Sequence, residues 1–119
     1  MFKHTFFIHL NATPAWLALS RRARSEYIAQ QLFPVFARFP AVNVRFFDGE
    51  YFSAQVSDII MLETNDLPSY YALIDAIRDS EVIQKPYFTV AAILPTVESS
   101  LESYEAAPAQ GQDLLTIPL

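Results

Sequence analysis

The feature that most restricts how this chain can fold is that its strand-like stretches are apolar on both sides. Four segments have strand composition: KHTFFIHL (3–10), VNVRFFD (42–48), QVSDIIMLET (55–64) and YFTVAAIL (87–94). Successive side chains of a strand leave opposite faces. Phe6 and Phe7, Phe46 and Phe47, and Ile59 and Ile60 therefore put apolar groups on both. An antiparallel sheet in a monomer commonly buries only one face. Ten Phe and six Tyr in 119 residues are also more than one small core easily hides. The second face needs a cover, and the simplest cover is the same face of another copy. A homodimer packed through the sheet is the expected assembly.

Between the strands the apolar period changes from 2 to 3.6. Ile28, Leu32, Val35, Phe36 and Phe39 mark one helix stripe, with Ser20 placed to cap its start. Leu67, Tyr70, Tyr71, Ile74 and Ile77 mark a second over 67–79. Pro34 lies inside the first stripe, where a straight helix would lose about 3 kcal/mol, so a kink or break is expected. Residues 11–19 read as a connection containing Pro14 and Trp16, and 80–86 as a turn with room for one helical turn. Pro95 reads as the end of the last strand, and 98–106 as a short exposed helix. The order β-α-β-β-α-β predicts a ferredoxin-like α+β fold, a four-stranded antiparallel sheet with two helices on one face. One domain is expected over 1–106. Residues 107–119 read as a C-terminal tail whose Leu114, Leu115 and Ile117 dock on something.

Several function classes drop out. Without cysteine there are no disulfides, thiolate metal sites or thiol nucleophiles, which is compatible with the cytoplasm. A net charge of −5 argues against nucleic acid as a partner. No run approaches the roughly 18 apolar residues of a membrane span. The apolar start, followed by Asn11 and Pro14, reads as a strand and not a signal peptide. A cytoplasmic location without membrane contact is expected. His4 and His9 lie on opposite faces of one strand and cannot share a metal within a subunit, so neither a metal nor a cofactor is expected. With two glycines there is no phosphate-loop pattern, and no serine has a base and acid spaced to activate it.

What remains is a small set of candidate ligand-binding residues and no catalytic assignment. Arg45 and Asp58 interrupt apolar strands, where a charge is costly unless paired. If the two lie opposite each other they form a structural pair, with Phe47 near Val56. This is the favoured reading. In another register Arg45 lies opposite Ile59 and its guanidinium is free for an anionic ligand. Asp48, just before Gly49, reads as a turn former. His9 shares a face with Phe7, at the expected dimer interface, and reads first as a neutral hydrogen-bonded residue. Trp16 could close a pocket between helices and sheet, with a hydroxyl from Tyr71 or Tyr87 inside, suited to an apolar or aromatic ligand. The competing reading makes these rings core-edge packing. Adjacent helix positions point about 100° apart, so at most one of Tyr70 and Tyr71 faces the sheet. In SRRAR (20–24) three arginines oppose the positive end of a helix dipole. Glu98, Glu102, Glu105, an acidic partner or a bound anion would offset them, although a solvated cluster is the default.

Four segments carry a resemblance to a known family. They are ATPAWLALSRRAR (12–24), RFFDGEYFSAQVSD (45–58), the run from Glu63 to Tyr71, and LIDAIRDSE with PYF (73–88). In order and spacing they resemble the darcynin family of small bacterial proteins, over most of residues 3–97. RDSEVIQKPYF (78–88) is similar to the junction of second helix and last strand in the dimeric α+β barrel superfamily. The resemblance implies a fold and no reaction. Relatives in that superfamily include cofactor-independent monooxygenases, haem-handling proteins and small-molecule isomerases, but no catalytic motif of theirs matches here. Three functions therefore stand: a homodimeric small-molecule binding or accessory protein, a cofactor-independent monooxygenase or isomerase, and a structural interaction module.

Overall fold

The computed structural model describes residues 2–99. The period-2 segments form β1 (His4–Ala12), β2 (Val42–Asp48), β3 (Asp58–Thr64) and β4 (Phe88–Val97). All pairings are antiparallel and the sheet order is β2-β3-β1-β4. The helical layer consists of α1 (Pro14–Leu17), α2 (Arg21–Tyr27), α3 (Phe33–Ala37), α4 (Leu67–Arg78) and α5 (Glu81–Gln84). A π-helical turn, Ile28–Leu32, joins α2 to α3. This is the ferredoxin-like α+β arrangement that the element order predicts.

Local chemistry explains most element ends. Ser20 Oγ accepts the Ala23 N–H at 3.1 Å and caps α2. Pro34 neither separates α2 from α3 nor sits in a straight helix. The turn before it widens, so that the Phe33 N–H donates to the Ile28 carbonyl, and the crowding a proline imposes is absorbed there. The connection 11–19 contains α1, which is too short to show a period. Thr13 Oγ1 caps it, accepting the Trp16 N–H at 3.4 Å. β4 runs past Pro95, where the sequence predicts an end. It is an edge strand bonded only to β1, and a proline is tolerated where its missing N–H would face away from the ladder. β3 starts at Asp58 and not at 55, because Ser53 and Ser57 turn the chain first.

The core lies between sheet and helices. Phe6, Ile8 and Leu10 of β1, Ile60 and Leu62 of β3 and Val42 of β2 pack on Phe36, Tyr70, Leu73, Ile77 and Val82. Leu62 and Leu73 are fully buried. Tyr70 stacks on Phe6 with ring centroids 3.7 Å apart. Buried Thr64 donates to the Ala41 carbonyl at 2.8 Å and accepts the Asp66 N–H at 2.9 Å, so its hydroxyl is satisfied.

The face turned away from this core carries two apolar rows across the sheet: Arg45–Met61–Phe7–Leu94 and Phe47–Ile59–His9–Ala92. Phe47 is 40% exposed and Leu94 47%. A third row, Asn43–Glu63–Thr5–Thr96, is polar. Among the described residues no helix is long and apolar enough to cross a membrane. Glu98 and Ser99 belong to no helix or strand. The rest of the expected 98–106 helix, the domain limit at 106 and the tail 107–119 lie outside the described residues.

Candidate functional site

A cavity of about 520 Å³ opens between the sheet and the first helical segment. Leu10, Ala12, Phe46 and Ile60 form its floor, and Ile28, Leu32, Phe33 and Phe36 its roof. Trp16, Tyr27, Val82 and Phe88 wall one end. The π-helical turn supplies two of the roof residues, and such turns recur where a helix must present side chains to a site. Trp16 is 8% exposed and wedged among rings, 5.9 Å from Tyr27, 5.3 Å from Tyr87 and 5.1 Å from Phe88 between centroids.

The charged lining consists of Arg21 and Arg24 from α2 with Asp48, Glu50 and Asp58 from the β2–β3 hairpin. The hairpin register aligns Asp48 with Asp58, both on the cavity side of the sheet. That register is set at the loop, where Ser57's carbonyl accepts the Gly49 N–H at 2.8 Å and the Glu50 N–H at 3.1 Å. The approach is close enough that a Cβ on Gly49 would lie 3.0 Å from the Val56 carbonyl oxygen. Ser57 Oγ donates to Asp58 Oδ2 at 2.7 Å and accepts the Ala12 N–H at 2.8 Å. Burial pushes the Asp58 carboxyl above the usual carboxylate range; the Ser57 hydrogen bond opposes this and the charge of Asp48 adds to it. Tyr27's phenol is likewise raised, first by burial and then by Glu81 and Tyr87.

Two of the six sequence candidates, Trp16 and Asp58, meet in this cavity. The expected Arg45–Asp58 pair does not form. Arg45 lies opposite Met61 and Phe47 opposite Ile59, because the loop bonds offset the strands from the pairing that would join the two charges. The Arg45 guanidinium instead sits 5.2 Å from the Phe47 ring, on the other face of the sheet. His9 is on that same outer face, opposite Ile59 and Ala92. Tyr71 is 58% exposed, and the tyrosine turned to the sheet is Tyr70. Tyr71 borders a separate hollow of about 290 Å³ with His4, Leu67 and Pro95. Tyr87 is 5% exposed and packs behind Trp16, its hydroxyl accepting from Lys85 Nζ at 3.1 Å without lining the cavity.

Asp48, Glu50, Tyr27, Arg21 and Arg24 line the cavity without having stood among the candidates. Asp48 shares strand parity with Phe46, a signal present in the sequence but outweighed by the adjacent Gly49. The arginine cluster is partly resolved within the chain. Arg22 pairs with Glu26 at 3.0 Å, and Arg24 donates to the Leu19 and Leu17 carbonyls at 3.1 and 3.5 Å. Glu102 and Glu105 lie outside the described residues.

No group of three or more His, Cys, Asp or Glu able to hold a metal occurs among the described residues. The described cavity lining has no imidazole, thiol or thioether, so it does not fit a haem held through those ligands.

The family model described as "Darcynin, domain of unknown function" matches residues 2–111. Darcynin 1 of Acinetobacter baumannii is 47% identical over 90 residues, 76% of this chain and 100% of that protein. The darcynin of Chromobacterium violaceum is 48% identical over 77 residues, 65% of this chain and 98% of that protein. Among solved structures, a mutant chlorite dismutase from Candidatus Nitrospira defluvii superposes with a TM-score of 0.72 at 17% identity, covering 90% of this chain and 44% of that one. A putative chlorite dismutase gives 0.67 at 13% identity, covering 82% and 45%. This likeness is one of fold, and the chain spans less than half the length of these structural neighbours.

Proposed function

The chain belongs to the darcynin family, whose function is unknown, and on that footing we propose that it is a homodimeric binding protein for a small apolar or aromatic molecule. The observation that carries this reading is the cavity of about 520 Å³, walled by aromatic and aliphatic groups and polar at one end. Small-molecule sites have this size and this balance of apolar wall and few polar anchors. A purely structural module gains nothing from leaving apolar groups such as Leu17, Phe33 and Phe46 exposed around an open cleft.

The dimer follows from the outer sheet face. Phe7, Phe47, Ile59, Met61 and Leu94 adjoin there in two rows, an apolar patch that a second copy covers most simply. A second reading, a cofactor-independent isomerase or monooxygenase, draws on Asp58. A half-buried carboxyl with a raised pKa beside an apolar cavity suits proton transfer.

The binding reading is tested by fluorescence titration with N-phenyl-naphthylamine, a neutral apolar dye, against the wild type and Ala12→Phe. Ala12 lines the floor, and a phenyl group there occupies empty space. Saturable binding that Ala12→Phe abolishes, with thermal stability kept, is the expected result. Binding indifferent to that change would place the dye elsewhere and overturn the reading.

A further inference from the structure

Resting on this reading of the cavity, we propose that its ligand is an amine: an apolar, ring-bearing body ending in an ammonium group that Asp58 and Asp48 hold between them. The argument starts from the hairpin. Residues directly opposite on antiparallel strands place their Cβ atoms about 4.5–5.5 Å apart, and like charges so placed repel. Asp48 and Asp58 are in that relation, on the cavity side, with Glu50 beside them on the lining. Arg21 and Arg24 share the lining, but no described cation forms a salt bridge with either aspartate. The ion pairs among the described residues are Arg22–Glu26 and Lys85–Glu81, neither in the cavity. Arg24 donates its guanidinium N–H groups to the Leu19 and Leu17 carbonyls, and Arg21 is exposed, as Asp48 and Glu50 are, whereas Asp58 is half-buried.

Acceptor capacity is also left over. Asp58 Oδ2 takes the Ser57 hydroxyl, while Asp58 Oδ1 and the Asp48 carboxylate accept no hydrogen bond from a described residue. An ammonium has three donors and one positive charge, so it satisfies acceptors on both strands and removes their repulsion. A neutral hydroxyl supplies a donor but leaves the repulsion. A carboxylate ligand adds a further like charge. Beyond the acids the walls are Trp16, Tyr27, Phe33 and Phe46, which take a ring body and whose faces attract a nearby cation.

The test is calorimetric titration of the full chain with three probes of one skeleton: naphthylethylamine, naphthylethanol and naphthylacetate. The buffer is mildly alkaline, with the amine still protonated. The amine is expected to bind about tenfold tighter than the alcohol, the value of one added charge-assisted hydrogen bond, and the acid weakest. Asp58→Asn should cut the amine's advantage to within about twofold while changing the alcohol less than about twofold, and Asp48→Asn should reduce the same advantage without touching Ser57's partner. Equal binding of amine and alcohol, or tightest binding of the acid, overturns the amine assignment and leaves the cavity reading standing. Failure of all three probes overturns the cavity reading and the assignment with it.

Discussion

Replacing Asp58 by Asn should stabilise this protein at neutral pH and leave its stability unchanged in acid. Asp58 is half-buried with Asp48 directly opposite, and no described cation pairs with it. Asn keeps the shape of the side chain and an oxygen to accept the Ser57 hydroxyl. The sign follows from the direction of the shift. A carboxyl whose folded pKa is raised is favoured in its protonated form by the folded state. Its contribution is fully present below the unfolded value of about 3.9 and is lost as the pH rises through the folded value. Wild type and variant should therefore coincide near pH 3 and separate above it. A like-charged cross-strand pair costs roughly 0.2–1 kcal/mol, and partial burial of one member places this one in the upper half of that range. At about 2.1 cal/mol/K of unfolding entropy per residue, 119 residues give about 4 °C per kcal/mol, so the variant gains about 2–4 °C in Tm at neutral pH. Differential scanning calorimetry at one protein concentration, on wild type, Asp48→Asn, Asp58→Asn and the double variant, reads this directly. The two single gains should not add, because either change removes the same repulsion. A loss of more than about 1 kcal/mol in Asp58→Asn at neutral pH would mean that a cation holds the carboxylate, and the electrostatic account of the cavity would fail.

Three further perturbations probe the rest of the molecule. Leu94→Arg, on the outer apolar row, should convert a dimer into a monomer in light scattering coupled to size exclusion. A wild type that already runs as a monomer at micromolar concentration would remove the proposed interface. In the monomeric Leu94→Arg background, Arg45→Met should change unfolding free energy by no more than about 0.5 kcal/mol in urea melts, since the guanidinium there is exposed and lies over Phe47 without an ion pair to a described residue. Leu62→Ala, at a fully buried position of β3, should cost about 2–5 kcal/mol in the same assay, and a cost below about 1 would mean that the layers are not packed there.

What this sequence settles unaided is the class and order of its elements. Strand period, helix period, the serine at 20 and the prolines are all local, and they yield β2 at Val42–Asp48 and α4 within a residue of its expected end. The opposite facing of Phe46 and Phe47 on a strand, and the turn of about 100° between Tyr70 and Tyr71 on a helix, are also local geometry, which is why one tyrosine of the pair is buried and the other is not. The pairing of charges was beyond that reach. The cost of an unpaired charge on an apolar strand favours joining Arg45 to Asp58, but register depends on how the loop 49–57 closes, and that is decided by Ser57's carbonyl taking two N–H groups. One shift in that closure separates an ion pair and brings two acids together.

A pocket between helices and sheet with Trp16 beside it is legible in the sequence, but its full lining belongs to tertiary structure. Tyr27 looks in sequence like any other core ring, and nothing in the stripe of Ile28, Leu32 and Val35 marks the widened turn at Ile28–Leu32. A void is the space left between layers whose facing side chains come from distant parts of the chain. Periodicity records what each segment does along its own axis, whereas register and empty volume are relations between segments. Those relations are set only when sheet and helices close on one another.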